Sequence, residues 1–511
     1  MGRYRNPVLP GCHPDPSICR FGDRYLLVTS TFEYLPGLPV HASTDLVDWE
    51  PVGHAIHRPE QLDLAGLDSS SGLYAPTIRV VGDRLVVVCT VVGPDDGSWP
   101  GRTGHFLVTA TDPAGPWSDP VWIDGVGGFD PSITVDGDRV WLCGTRVASV
   151  AQWRGQTEVW LAELDLATGA LRSEPAPIWS GAAARAVWAE GPHILARPGG
   201  GWMLMAAEGG TDLDHAVCVA YADEITGPYL GDPGNPRLTH RDLGAQAAIT
   251  AVGHADLVTA PDGRTWAVLL ATHPVEGRRG LLGRRTSLVP VAWEDGRPLF
   301  APGTGRVHAV TDAAGVPDQA APVTRIRDDF DAPALDPAWT GVGRMPQAFA
   351  DPTARAGHVR LRGGDDPTVV GGLPSFLGRR LPSERATVEA TVQLVPGGVA
   401  LRAGLLLRVS EREQLEIAVH RDGTARVVRT IAGVGAELGY VAVDAAGPVA
   451  LRLEVRDLVA RVVVAGADLA AIDVGGLAPT PPRGFVGAWV GPFAVGDGAC
   501  DVGVVELTVA D

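Results

Sequence analysis

GCHPDPSICRFGDRYLLVTS, residues 11–30, sets an aspartate between two prolines and runs at once through a Gly-Asp turn into an apolar strand. FDPSITVDGDRVWLCG, residues 129–144, repeats the letters DPSI and again follows them with GDR, in the same register: Asp15 to Gly22 and Asp130 to Gly137. A turn that launches a strand twice in one register marks a repeat, and a repeat decides architecture before any single residue does. Reading outward, five turns launch similar strands: GDRYLLVTS from 22, GDRLVVVCT from 82, GDRVWLCGT from 137, GGWMLMAA from 200 and DGRTWAVLLAT from 262. Their spacing of about 55–65 residues is the length of one four-stranded propeller blade. A second series interleaves with the first: ASTDLVDWEPV from 42, ATDPAGPWSDPVW from 110, ELDLATGALRSEPAPIW from 163, YADEITGPYLGDP from 221 and VAWEDGRPLF from 291. Each of these reads as an outer hairpin, and the count of five is the same in both series.

Just ahead of each turn, where the innermost strand of a blade begins, stand HPDPSI (13–18), YAPTI (74–78), FDPSI (129–133), AEGPHI (189–194) and GHADLV (253–258). Innermost strands line the axis, so these heads converge at one mouth of the central channel and bring Asp15, Asp130, Glu190 and His254 together. A lone Asp-Pro is most often a turn whose side chain caps local N–H groups. Two copies in one register, with a glutamate at a third head, point to a site assembled by symmetry.

Beyond Phe300 the texture changes. RVHAVTDAAGVPDQAAPVTR, from 306, lacks clear periodicity, whereas ATVEATVQLV, AGLLLRVS, QLEIAVHRDGTARVVRTI and VALRLEVRDLVARVVVAG alternate as strands with Asp-Gly turns. The expected organisation is a five-bladed propeller over 1–305, a linker over 306–327 and a β-sandwich over 328–511 that closes the pocket.

The chain of 511 residues is 45% apolar and 20% charged, and no run of eighteen apolar residues occurs in it. The N-terminal MGRYRNPVLPGCHPDPS has no apolar core of a signal peptide, which leads to an expectation of cytoplasmic residence. All 42 basic residues are arginine against 60 acidic ones, a net charge of −18, which argues against nucleic acid and suits a small neutral ligand. No membrane partner is expected, and a homo-oligomer is left open. The six cysteines form no C-x-x-C pair and read as buried thiols; Cys12, close to Asp15, has no histidine at a recognisable spacing.

Two carboxyl groups, one protonated and one ionised, are the usual equipment for cleaving a glycosidic bond, and a third placed near the acid raises its pKa. Asp15, Asp130 and Glu190 supply that number. The opening NPVLPGCHPDPSICRFGDRYLLVTSTFEYLPGLPVHASTDLVDWEPVGHAI resembles the start of glycoside hydrolase family 43 β-xylosidases. GGFDPSI, AEGPHI, AEGGTDLDHA, VGHADLV, LLGRRTSLVPVAWEDGRP and SFLGRRL are similar to later blocks of that family, in order. The resemblance implies an all-β protein, a five-bladed propeller followed by a concanavalin-like β-sandwich. It implies that Asp15 is the general base, Glu190 the general acid and Asp130 the group that tunes and orients the acid, with inversion at the anomeric carbon. It further implies that Arg284 contacts the terminal sugar, that His254 is an axial histidine and that Phe32 forms an apolar wall of the pocket. Tyr74 joins them as a substrate-binding candidate.

The bland alternatives for these residues are a surface ion pair for Arg284 and a satisfied hydrogen bonder for His254. Some family members hold an axial calcium; HAD is too short a signal to assert one, and no cofactor is required. Where relatives commonly read VWAPH this chain has LYAPT, placing Tyr74 for tryptophan and Thr77 for histidine. The blade-three loop CGTRVASVAQWRGQTEVW lacks an aromatic run, with Trp153 its one candidate replacement. The expected activity is an exo-acting xylosidase on short β-1,4-xylo-oligosaccharides. The rivals are an α-L-arabinofuranosidase or an enzyme with both activities, and, less favoured, a sugar-binding propeller without catalysis. Fructan and sucrose hydrolases are set aside, because NDPNG, RDP and EC are replaced here by HPDPS, FDPS and EGPH.

Overall fold

Each Gly-Asp turn closes a two-residue hairpin: Phe21 pairs with Arg24, Val81 with Arg84 and Asp136 with Arg139. Gly22, Gly82 and Gly137 sit first in these loops at φ +63°, +63° and +59°. A positive-φ glycine in first position is the pattern of a type II′ turn, whose twist matches the strands it joins. The molecule is described by a computed structural model over residues 1–94, 96–398, 400–480 and 484–510.

The hairpins build five antiparallel sheets, each with its strands in chain order from the inside outward. Their innermost strands are Ser17–Phe21, Gly72–Val81, Phe129–Asp136, Glu190–Ala196 and Thr250–Thr259. Apolar cores fill the spaces between neighbouring blades. Leu26, Val40, Val87 and Phe106 lie between blades 1 and 2, and Val88, Ile133, Leu142 and Trp160 between 2 and 3. Cys143, Ile194 and Leu204 lie between 3 and 4, Met205, Val217 and Leu269 between 4 and 5, and Ile18, Leu27, Trp266 and Leu288 between 5 and 1. Sheets buried on both faces need near-continuous apolar strands, which is why VVVC and AVLLA lack polar alternation.

Part of the stretch expected to be a linker is fixed to the propeller. Val310–Ala313 pairs with Gly2–Arg5, and Val307, Ala313 and Val316 are buried in the cores flanking blade 5. Three apolar side chains spaced through RVHAVTDAAGV account for this docking.

The channel below the mouth is plugged by polar side chains on the inner strands. Arg79 donates to both oxygens of Asp256, at 2.7 and 2.9 Å, and Ser17 Oγ and the Ile18 N–H donate to the same carboxylate at 2.7 and 2.9 Å. Arg79 also donates to His193 Nδ1 at 3.1 Å, and Ser132 Oγ lies 3.0 Å from that nitrogen. Burial keeps the His193 ring neutral, its pKa lowered to about 3, so that it can accept these bonds. Burial opposes the Asp256 charge, yet Arg79, with the Ser17 hydroxyl, outweighs it and holds its pKa down to about 2.

The C-terminal residues form two facing sheets. One runs Ala350–Arg355, His358–Arg362, Ala499–Val509, Arg385–Leu394, Val449–Arg456, Val459–Val464 and Ala467–Asp473; the other runs Ser375–Phe376, Trp489–Val495, Arg402–Arg408, Gln414–His420, Thr424–Ile431 and Val434–Ala442. Arg385–Leu394 alternates buried and open positions, as a sheet with one wet face should. Arg402–Arg408 and Trp489–Val495 are buried on both faces, because one face meets the sandwich core and the other the propeller. At that contact Tyr34 and Trp489 stack with centroids 4.2 Å apart, and Gly341–Val342 pairs with Tyr34–Leu35 across the interface.

Removing one partner of a buried ion pair leaves an uncompensated charge, at a cost of about 3–5 kcal/mol. Arg79→Met is expected to lower the unfolding free energy of the propeller by about that amount in urea titration. A loss below about 1 kcal/mol would mean that the axis pair behaves as a surface pair.

Candidate active site

At the head of each inner strand one residue takes the left-handed conformation: Asp15 (φ +54°), Ala75 (+28°), Asp130 (+54°), Gly191 (+58°) and His254 (+50°). Strand pairing slips at this point in blades 2 to 5, between Tyr74 and Thr77, Phe129 and Ser132, Glu190 and His193, and Gly253 and Ala255. Such a bulge re-aims the side chain it carries. The equivalent points are therefore occupied by Asp15, Asp130, Gly191 and His254, with Glu190 one residue ahead of its own. Gly191 is required twice over, by its φ and by crowding, since a Cβ there would lie 2.8 Å from His254 Cε1.

The heads meet as the sequence predicts. Arg284 Nη1 donates to Asp15 Oδ1 at 2.7 Å, Ser30 Oγ donates to Asp15 Oδ2 at 2.7 Å, and His254 Nδ1 lies 3.8 Å from Oδ1. Ser30 Oγ in turn accepts the Ala75 N–H at 2.7 Å, which ties the heads of blades 1 and 2 together. The Gly191 N–H donates to Asp130 Oδ2 at 3.0 Å, so this carboxylate is held against the residue that follows Glu190.

Burial raises the pKa of Glu190 well above its ordinary value, and the charges of Asp130 and Asp15 raise it further, against a smaller opposing effect of Arg284. Burial also raises Asp130, and Asp15 adds to it, but His254, the Gly191 N–H and Arg284 pull the other way. A close carboxylate pair holds its first proton jointly, and the donors around Asp130 leave that proton on Glu190. The site thus has a protonated carboxyl beside an ionised one, and a second carboxylate ion-paired to arginine.

Aromatic rings wall one side. Phe32 and Tyr74 meet edge to face at 5.1 Å, and Phe485 of the sandwich stacks on Phe32 at 6.1 Å and meets Tyr74 edge-on at 5.9 Å. The Arg284 guanidinium carbon lies 5.5 Å from the Phe32 ring centre and 5.2 Å from that of Phe485, and its Nη2 donates to the Phe485 carbonyl at 3.2 Å. Arg284 is therefore a joint between Asp15 of the propeller's first blade and the sandwich. Thr77 lies below the mouth and donates to the Pro131 carbonyl at 2.9 Å.

A buried charge network positions this wall. Arg408 of the sandwich donates to Glu33 at 3.2 Å, to the Tyr34 hydroxyl at 2.8 Å and to Ser69 Oγ at 2.8 Å. The Ser70 N–H donates to the other Glu33 oxygen at 3.1 Å; Ser70 Oγ then accepts the Phe485 N–H at 3.2 Å, and the Ser70 carbonyl accepts the Tyr74 hydroxyl at 2.5 Å. Phe485, Arg408 and Glu33 were not selected from the sequence. The available signal was one charge at the end of an apolar run in AGLLLRVS and one acid among aromatics in STFEY.

Among the described residues no group of three or more His, Cys, Asp or Glu side chains is arranged to hold a metal ion. His254 has Asp15 beside it, and both Asp15 oxygens already accept from Arg284 and Ser30. No helix among the described residues is long and apolar enough to cross a membrane.

Residues 4–298 match the sequence model described as glycosyl hydrolases family 43, and residues 327–506 match that of the beta xylosidase C-terminal concanavalin A-like domain. A non-reducing end alpha-L-arabinofuranosidase of Bacteroides ovatus is 35% identical over 516 residues, 99% of this chain and 93% of that protein. A xylosidase/arabinosidase of Butyrivibrio fibrisolvens is 36% identical over 420 residues, 81% of this chain and 79% of that protein. The crystal structure of a xylan beta-1,4-xylosidase from Bacillus halodurans C-125 superposes with a TM-score of 0.90 at 29% identity, covering 99% of this chain and 100% of the other.

Asp130→Asn keeps an oxygen for the Gly191 N–H and removes the charge next to Glu190. The Glu190 midpoint is expected to fall, because the carboxylate that disfavours its ionisation is gone. Carboxyl carbon NMR on glutamate-labelled protein reads this directly, and an unchanged or higher midpoint would contradict the pairing.

Proposed function

The chain belongs to family 43 of the glycosyl hydrolases, and from that premise we propose that it is an exo-acting, inverting β-xylosidase releasing xylose from the non-reducing end of short β-1,4-xylo-oligosaccharides. The observation that carries this reading is the division of protons among three carboxyl groups at one mouth. Burial and the charges of Asp130 and Asp15 push Glu190 toward its protonated form, while Asp15 accepts hydrogen bonds from Arg284 on one oxygen and Ser30 on the other.

In this reading Glu190 gives its proton to the glycosidic oxygen as the bond from that oxygen to the anomeric carbon breaks. Asp15 takes a proton from a water whose oxygen bonds to the same carbon from the opposite face. Asp130 stays ionised and is anchored to the Gly191 N–H, so it holds the acid's pKa up without competing for the sugar. Phe32, Tyr74 and Phe485 wall the terminal sugar, and Arg284 fixes both the base and the Phe485 backbone. Closure of that side by the sandwich favours attack at a chain end.

A second reading, α-L-arabinofuranosidase or dual activity, is supported by the names of the relatives, which divide between the two sugars. Tyr74 also changes the wall against which a furanose and a pyranose differ in shape. Nitrophenyl β-D-xylopyranoside and nitrophenyl α-L-arabinofuranoside, assayed side by side, separate the two. The xyloside is expected to have the larger kcat/KM, and a tenfold or greater preference for the arabinoside, on the order of 1.4 kcal/mol in barrier, would overturn the choice of sugar.

A further inference from the structure

The two sides of the mouth differ. The contacts named above between sandwich and propeller fall on blade 1, the connection that follows it, blade 5 and, through Tyr74, the start of blade 2; none of them is to blade 3 or 4. The loops of blades 3 and 4 instead carry exposed apolar side chains: Val147 and Val150, Val187 and Trp188, and Leu213. Three hydrogen bonds lock these loops together. The Trp188 N–H donates to the Gly155 carbonyl at 2.8 Å, the Gly209 N–H to the Val187 carbonyl at 2.8 Å, and Trp153 Nε1 to the Ala186 carbonyl at 2.8 Å.

Trp188 takes the left-handed backbone conformation, at φ +53°. Its pyrrole edge lies against bare backbone on two sides, since a Cβ on Gly155 would stand 3.0 Å from Trp188 Nε1 and one on Gly210 3.2 Å from Cδ1. Even so the residue is 36% exposed, while Ala189, between it and Glu190, is fully buried. A rigid indole with a free face is costly to leave in water, and it suits the apolar C–H face of a sugar ring.

An acid that protonates a glycosidic oxygen must lie within hydrogen-bond reach of it, so the departing group lies on the Glu190 side of the mouth. We propose that Trp188, flanked by Val147, Val150, Val187 and Leu213, is the platform for the leaving-group sugar, the second ring of the oligosaccharide. This rests on the reading of Glu190 as the acid. Trp153, the one aromatic that the blade-three loop offers, has its indole N–H turned to the Ala186 carbonyl and serves to brace the platform.

The test compares xylobiose with β-xylosyl fluoride, whose leaving group has no ring to stack. In Trp188→Ala the ratio of kcat/KM for xylobiose to that for the fluoride is expected to fall about tenfold, and Trp188→Phe to recover part of it. A ratio equal to the parent's, whether both rates fall together or neither does, overturns the proposal. A parent enzyme that leaves xylobiose intact but cleaves arabinofuranosides contradicts the xylosidase reading alone. The same ratio taken on an arabinofuranosyl disaccharide and arabinofuranosyl fluoride then decides the role of Trp188.

Discussion

Everything at the mouth depends on one backbone constraint, the left-handed residue at the head of each inner strand. For residues with a Cβ this conformation costs about 1–2 kcal/mol, and here four of the five positions carry one. The interlocked blades hold it in place, since neighbouring inner strands share apolar cores on both faces. In blades 2 to 5 a slip in the strand pairing at this residue breaks the in-and-out alternation and turns the side chain there toward its counterparts. Asp and His tolerate the left-handed region better than most residues, so the conformation and the chemistry favour the same side chains.

The axis then separates two electrostatic regimes within a few residues. Below the bulge, Arg79 and Asp256 neutralise one another and His193 is neutral, which seals the channel with satisfied polar groups. Above it, among the described residues, three carboxyl groups gather with Arg284 and His254, and Arg284 is engaged with Asp15. Burial first, and then the neighbouring carboxylates, push the pKa of Glu190 upward. The sandwich adds no carboxylate to this group. It adds Phe485, and through Arg408, Glu33 and Ser70 it fixes where the aromatic wall stands.

Five blades, their turns and the five heads were legible in the sequence because a propeller writes its symmetry as a period. HPDPS and FDPS mark the left-handed residue directly, since each sets proline after the aspartate that adopts it. The offset of Glu190 was not legible, because in EGPH a glycine takes the left-handed point and the acid stands one residue ahead. Phe485 and Arg408 lie hundreds of residues from the atoms they meet, Ser70 and Glu33, and no period connects a sandwich loop to a propeller loop. The docking of Val310–Ala313 on Gly2–Arg5 was hidden for the same reason: a four-residue strand has too little length to show alternation.

The central claim is that Asp15 and Glu190 act from opposite faces of the sugar, one on a water and the other on the departing oxygen. Proton NMR of the first product from nitrophenyl β-xyloside, recorded before mutarotation, tests it most directly. The account predicts that α-xylose forms first. β-Xylose as the first product would contradict it, because Asp15 would then have to bond to the sugar rather than direct a water to it.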